Sequence, residues 1–425
     1  MTPDLVALDR LHVWHPYTQH FDAAPPPLVT RAAGAYLYDA RGRRIFDAIS
    51  SWWVTLHGHA HPAIAAAIAA QAGTLEQVIF AGFTHEPAAR LAQALIHVLP
   101  AGLTRVFYSD DGSTAVEVAL KMALQYWECR GERRPLLAAL EHAYHGDTFG
   151  AMAASARGVF TAPFEQHLLE VARLPDPSED PAATLAALDQ LLDRRGEELA
   201  AVIVEPLLLG AGGMRMWDAA TLRAIRERTA QARVLLIADE VLTGFGRSGP
   251  MFACGGAGVT PDIMCLSKGL TGGFLPLGAT VAREEIFEAF SSPDRRRTLF
   301  HGHSYTANPI ACAAAQASLA LLDETSARAR QTIEVTHRSH LTSLAVHARV
   351  QRPRVLGTVA AFDVDGPPDY LSTAGASLAR FALERGVLVR PLGNVVYLLP
   401  PYCATADDLG CAYDVIERFL DEEPE

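Results

Sequence analysis

The chain has 425 residues, half of them hydrophobic and a fifth charged, and a formal net charge of −12 at pH 7. That length allows about two to three domains around a large buried core. The acidic balance argues against nucleic acid or an anionic membrane as a partner, because both select basic surfaces. The N-terminus is acidic and shows no signal-peptide pattern. Ala24-Pro25-Pro26-Pro27 reads as a rigid connector. Tyr36 to Asp39 and Arg44 to Asp47 read as two short strands around a turn at Ala40 to Arg43. Ala48 to Leu75 lacks Lys, Arg, Asp and Glu, but His57, His59, His61, Pro62 and Gln71 argue against a membrane span. Within it, Ala63 to Ala72 has helical composition.

Strand and helix patterns then alternate. Val106-Phe107-Tyr108 precedes a glycine turn and a helix from Thr114 to Cys129. Further apolar runs end at Leu140, Val204, Ala238 and Leu266, each followed by polar or glycine-bearing residues. Such alternation predicts a mostly parallel sheet with helical crossovers. Thr306 to Leu322 reads as a long apolar helix, and a more polar, smaller domain follows from about residue 325. The boundaries read as 1–50, 51–322 and 323–425. Six cysteines without a CxxC pair read as free thiols in a reducing compartment, so a cytoplasmic protein is expected.

The chemistry concentrates between Val234 and Leu277. Val234 to Ala238 is a continuous apolar run that stops at Asp239-Glu240, as a buried parallel strand does. Asp262 to Leu266 leads into Ser267-Lys268-Gly269. A lysine with few charged neighbours, partly buried, keeps a neutral amine that attacks an aldehyde. An aspartate ending one strand and a lysine ending another point to pyridoxal 5′-phosphate. Lys268 would hold the aldehyde, and Asp239 would keep the pyridine nitrogen protonated. Ser109-Asp110-Asp111-Gly112-Ser113-Thr114 follows a strand and opens a helix, which makes an anion site. Plain capping by Ser113 or Thr114 explains that motif equally well on its own.

Asp111-Gly112-Ser113, Tyr144-His145-Gly146, Glu205-Pro206, Asp239-Glu240 and Ser267-Lys268-Gly269 together resemble the class III aminotransferases of pyridoxal-phosphate fold type I. The resemblance spans nearly the whole chain. It implies an α/β fold: a large cofactor-binding domain, 51–322, and a smaller α+β domain built from both chain ends. His15-Pro16-Tyr17-Thr18, Ser51-Trp52-Trp53, Gly212 to Met216 and Lys121 to Trp127 narrow it. They resemble the branch that aminates 8-amino-7-oxononanoate in biotin biosynthesis with S-adenosyl-L-methionine as donor, some members using lysine instead. Another class III ω-aminotransferase, acting on a diamine or ω-amino acid, is the alternative. An aminomutase or racemase on the same fold is a further one.

By that resemblance Gly112 and Ser113 bind the cofactor phosphate and Tyr144 stacks on its ring. His303 and Ser304 are implied to bind the cofactor phosphate and Gly302 the substrate, on a loop that reaches the partner subunit's site, so a homodimer is implied. His303-Ser304 stands where the family commonly has Pro-Thr, and Asp111 where it commonly has serine. A carboxylate beside a phosphate is repulsive, so Asp111 is expected to point away or meet a cation. Tyr17, Trp52 and Trp53 are expected as pocket walls, Tyr17 with a catalytic part. Arg390 is the expected partner of a substrate carboxylate, and Arg247 a weaker polar contact. Asp147 is expected to hold Tyr17 or Tyr144. No metal site is expected of His57, His59 and His61, which form an ordinary stretch for this family.

Overall fold

A computed structural model describes residues 4–366 and 369–422, so Met1 to Pro3 of the acidic N-terminus lie outside the described residues. Its centre is a seven-stranded sheet. Across the sheet the strands run Leu103–Ser109, Gly278–Arg283, Ile263–Leu266, Leu235–Asp239, Leu199–Val204, Leu136–Leu140 and Val171–Leu174. Neighbours from Ile263–Leu266 to Val171–Leu174 pair in parallel. Gly278–Arg283 is antiparallel to both of its neighbours. The sequence reading missed that strand, because its small residues carry little strand signal and only pairing fixes its direction.

Alternation along each strand divides its side chains between two cores. Val202, Val204, Leu236, Ala238, Met264 and Leu266 enter one. Ala201, Ile203, Leu235, Ile237, Ile263 and Cys265 enter the other. Both faces are therefore buried, which explains why these strands read as unbroken apolar runs. The helix Gly112–Cys129 covers the second face with Ala115, Val116, Ala119 and Ala123.

Two smaller sheets flank this body. Val29–Ala33, Tyr36–Asp39 and Arg44–Asp47 form a meander, and Val387–Leu388 from near the C-terminus pairs with Arg44–Asp47 in parallel. Val350–Leu356, Val359–Val364 and Val395–Leu398 form an antiparallel sheet. The helices Glu324–Leu344 and Ala406–Glu422 pack with this part of the chain through Ile333, Leu341, Leu409 and Ile416. The apolar helix after Asn308 runs Pro309–Ala320, its start set by the Asn308 side chain accepting from Ala311 N at 3.0 Å. No helix among the described residues is long and apolar enough to cross a membrane.

Candidate active site

Parallel strands all present their C-terminal ends at one edge of the sheet, where open α/β sheets form their clefts. Here Tyr144 follows Leu136–Leu140, Glu205 follows Leu199–Val204, Asp239 ends Leu235–Asp239, and Lys268 follows Ile263–Leu266. A cavity of about 680 Å³ runs among them and reaches Gly112 and Ser113. A chamber of about 400 Å³ adjoins it, sharing Trp53, Tyr144 and Lys268, and adds Tyr17, Trp52 and Arg390.

Lys268 sits at a φ of +43°, a left-handed conformation that costs a non-glycine residue on the order of 1–3 kcal/mol. The turn aims the side chain inward, with Nζ 4.4 Å from the centre of the Trp53 ring. Burial pushes its ammonium down to about 8, while Asp239 and Glu205 pull the other way. Asp239 is buried; its Oδ2 lies 2.7 Å from His145 Nδ1, and Oδ1 accepts from Val241 N at 3.1 Å. Glu205 accepts from Tyr144 N at 2.8 Å and Gly210 N at 2.9 Å. Burial pushes its carboxyl up to about 7, against the pull of His145 and with the push of Asp239.

At the other end of the cavity, the first N–H groups of the helix Gly112–Cys129 have no intrahelical acceptor. A Cβ on Gly112 would come within 2.7 Å of Val241, so the backbone is seated tightly there. Gly146 has a φ of +131°, and a Cβ on it would strike Ser113. Ser113 Oγ lies 2.7 Å from Thr148 Oγ1 and accepts from Thr148 N at 3.0 Å. Asp111 caps the helix, its side chain accepting from Thr114 N at 2.7 Å, and it lines the same cavity. Thr114 Oγ1 in return accepts from Asp111 N at 3.0 Å, closing a reciprocal capping box.

The adjoining chamber is aromatic. Tyr17 meets Trp52 edge to face with ring centres 5.6 Å apart, and Arg390 lies over Trp52 at 3.8 Å. Tyr17 OH donates to Asp147 and lies 3.3 Å from Tyr144 OH. Asp147 thus binds Tyr17 directly. Burial, then the Asp147 hydrogen bond, pushes the Tyr17 phenol up to about 12, so at neutral pH it keeps its proton.

Trp52 and Trp53 reach two different surroundings because the chain kinks between them. Ser50, Ser51 and Trp53 all have positive φ. The kink is held by Asp47, a fully buried carboxylate. It accepts from Ser51 N at 2.7 Å and Ile49 N at 3.3 Å and lies 2.8 Å from His59 Nε2. Trp53 is buried, donating to Tyr397 OH at 2.9 Å.

Four of the predicted positions lie elsewhere. Arg247 is buried beside the C-terminal part, donating to Pro400 O at 2.7 Å and Thr55 O at 3.0 Å, and lines no described cavity. Gly302, His303 and Ser304 line none of this chain's described cavities either. His57 and His59 face separate partners, Ser318 Oγ at 3.1 Å and Asp47.

The family model for class III aminotransferases matches residues 18–420. The chain is a class III aminotransferase. It is 53% identical over 421 residues to the adenosylmethionine-8-amino-7-oxononanoate aminotransferase of Synechococcus elongatus, covering 97% of this chain and 99% of that one. The enzyme of that name from Mycobacterium leprae is 40% identical over 419 residues, covering 96% and 95%. Among solved structures, the Methanocaldococcus jannaschii enzyme of the same name superposes with a TM-score of 0.92. It is 34% identical and covers 97% of this chain and 98% of that one. An amine transaminase from an uncultivated Pseudomonas species, in its pyridoxal-phosphate-bound form, has a TM-score of 0.89 at 34% identity, covering 96% and 97%.

Class III aminotransferases use pyridoxal phosphate, and the residues of this aminotransferase fit it. One end of the cavity is a tightly seated helix N-terminus that suits a phosphate. The other holds a buried carboxylate and a lysine whose burial favours the free amine. His145 Nε2 is buried with no partner among the described residues, on the ring whose other nitrogen meets Asp239. Sequence reasoning quoted His145 and Glu205 only as parts of motifs, and it missed Asp47, Phe160 and Tyr370. An aspartate ending a short strand and two lone aromatics in loops give no local signal. Only the tertiary fold brings Phe160 and Tyr370 to the aminotransferase cavity and Asp47 to the kink that carries Trp52 and Trp53.

Proposed function

We propose that this aminotransferase converts 8-amino-7-oxononanoate to 7,8-diaminononanoate in biotin biosynthesis, with S-adenosyl-L-methionine as amino donor. The observation that carries the reading is the chamber beside Lys268. It is walled by Tyr17, Trp52 and Trp53 and has one guanidinium among its lining residues, Arg390. A linear keto acid with a distal carboxylate has that pattern of apolar length and terminal charge. The relatives named for this reaction support it. Arg390 has no carboxylate within ion-pair distance among the described residues, which leaves its donor fork for a ligand.

Gly112, Ser113 and their helix N-terminus would hold the cofactor phosphate, Tyr144 its ring face and Asp239 its ring nitrogen. When bound, pyridoxal phosphate supplies an aldehyde that captures the donor's amino group and a ring that takes up the electron pair left by the α-proton. Lys268 Nζ takes that proton from the donor Cα and, in the second half-reaction, delivers a proton to C7 of the acceptor. A pKa near 8 suits both tasks at neutral pH. Asp239, braced by His145, would pair with the protonated ring nitrogen. Tyr17, protonated and tied to Asp147, orients substrate and excludes water.

A homodimer completes the site in this reading, with Gly302, His303 and Ser304 closing the phosphate end of the partner's cavity. Exposed Ile79, Phe83, Phe300 and Tyr305 support it. They flank two segments tied together by Gln77 Nε2 donating to Ser304 O at 2.6 Å. Arg247 acts as a brace of the fold and not as a substrate contact. The domain division at residues 50 and 322 is supported by the pairing of Val387–Leu388 with Arg44–Asp47. Six unpaired cysteines support a cytoplasmic setting.

The test mixes holoenzyme with S-adenosyl-L-methionine or lysine and follows conversion of the cofactor absorbance to the amine form. The acceptor is then added and the reversal followed. Conversion by S-adenosyl-L-methionine and reversal by 8-amino-7-oxononanoate are expected. Conversion by lysine alone overturns the donor, and no reversal by the acceptor overturns the substrate.

A further inference from the structure

The central sheet has a second edge, where its parallel strands begin. The two strands whose far ends lead to Asp239 and Lys268 start there, and Val234, Leu235 and Asp262 line a separate cavity of about 250 Å³. Four arginines surround it, Arg130, Arg226, Arg233 and Arg283, against two carboxylates, Asp262 and Glu285. That is an excess of two positive charges in a chain whose formal net charge is −12. A walled cleft lined by one sign of charge concentrates its field and raises the local level of the opposite ion.

The inner arginines are fixed by Asp262. This carboxylate is buried and accepts from Leu236 N at 2.8 Å. Arg226 meets it with both terminal nitrogens, at 2.6 and 3.1 Å, and Arg283 Nη1 at 3.0 Å. One negative charge therefore holds two guanidinium groups. Arg226 Nε and Arg283 Nη2 make no hydrogen bond among the described residues. The outer arginines are held more loosely. Arg130 Nη1 lies 3.5 Å from Glu285 Oε1, an oxygen that already accepts from Tyr126 OH at 2.8 Å. Arg233 reaches one carboxylate among the described residues, Glu132 at 4.0 Å, which Arg134 holds at 2.6 Å.

The backbone of Arg233 supplies a second, independent observation. The helix Ala219–Gln231 is capped by Ala232, and Arg233 follows it with a φ of +54°. Glycine takes this position after a helix without strain, and it is the usual residue there. The turn is pinned by Arg134 Nη1, which donates to Arg233 O at 2.8 Å. A strained arginine thus stands where glycine is the easier choice, and its guanidinium lines the cavity.

We propose that this cavity binds the phosphate group of a small phosphorylated metabolite. A phosphate dianion matches the excess charge, and guanidinium forks take its oxygens in paired hydrogen bonds. The volume lies just below that of sites for drug-sized ligands, which leaves room for a few carbons beside the phosphate. The site is distinct from the one proposed for the cofactor phosphate. That one lies at the start of the helix Gly112–Cys129, whereas Arg130 caps its end.

The experiment titrates glycerol 3-phosphate, inorganic phosphate and glycerol into holoenzyme by calorimetry at fixed ionic strength, with the cofactor's own site filled. Glycerol 3-phosphate is expected to bind once per chain, inorganic phosphate more weakly, and glycerol not at all. Arg233→Gly removes the guanidinium and the backbone strain together. It is expected to melt close to the wild-type temperature and yet to weaken binding about tenfold or more, the scale of losing one charge-assisted hydrogen bond. Arg130→Gln should weaken binding similarly, and Arg390→Ala, in the chamber beside Lys268, should leave it within about twofold. Absence of binding to wild type, or unchanged binding in both Arg233→Gly and Arg130→Gln, overturns the site. Binding lost in Arg390→Ala alone assigns the phosphate to the active site and overturns it as well. Equal binding of inorganic phosphate and glycerol 3-phosphate overturns the place given to the carbon skeleton.

Discussion

Replacing Arg390 by alanine tests the substrate assignment through one interaction whose size follows from its surroundings. The guanidinium stacks on Trp52 at 3.8 Å and is charged in a chamber with apolar walls. A charge-assisted hydrogen bond there contributes about 1.5–3 kcal/mol. At about 1.36 kcal/mol per factor of ten, its loss raises KM for 8-amino-7-oxononanoate roughly ten- to a hundredfold. The turnover number should change little, because the carboxylate is remote from the reacting carbon and is bound equally in ground and transition states. Trp52 also loses its stacked cation, an effect of about 0.5–2 kcal/mol that any ligand in the chamber feels. The two contributions separate with the methyl ester of the acceptor. The Arg390→Ala penalty on the acid should largely vanish for the ester, and what remains measures Trp52. The assay is the second half-reaction alone, starting from the amine form of the holoenzyme and followed by stopped-flow absorbance. A KM within twofold of wild type, or equal penalties for acid and ester, would refute the carboxylate role.

Capture of pyridoxal phosphate by the apoprotein, trapped with borohydride, should rise through about pH 8 instead of the ordinary lysine value of 10.5; Lys268→Ala should trap none at the site, and trapping at native stoichiometry would discard the assignment. Asp47→Ala should destabilise the fold by about 3–5 kcal/mol in urea unfolding, since it leaves Ser51 N and His59 without their buried partner and the strained kink unsupported. It should also raise acceptor KM by displacing Trp52, whereas a merely structural loss would leave KM unchanged in the folded fraction. Burial pushes the His337 imidazole down to about 3, with a Thr358 backbone hydrogen bond opposing and His340 adding to the shift. The unfolded chain therefore binds a proton below about pH 6.5 that the folded chain refuses. Stability should fall from there towards pH 3 by about 1.4 kcal/mol per pH unit, and His337→Leu should reduce that slope by about one proton; an unchanged slope would show that His337 is not the group responsible.

The residues to which the proposed reading gives chemistry close to the backbone were legible in the sequence. Asp239 and Lys268 stand out because each ends an apolar run, and burial on both faces of a parallel sheet forces such runs to be continuous. Gly112 and Ser113 stand out because a helix start has its own local grammar of glycine and hydroxyl residues. Local rules also explain what engages Asp111: its capping box spans only four residues. The antiparallel strand Gly278–Arg283 was not legible, since direction in a sheet is a property of the pairing and not of the strand. Nor were Asp47, Phe160 and Tyr370, which matter through partners far along the chain. Arg247 shows the same limit from the other side. An arginine beside glycines in a loop looks available for a ligand, yet the fold buries it against the carbonyls of Thr55 and Pro400. Sequence specifies what a residue offers; which offers are taken up inside the protein, and which remain for a substrate, depends on neighbours that only the packed chain supplies.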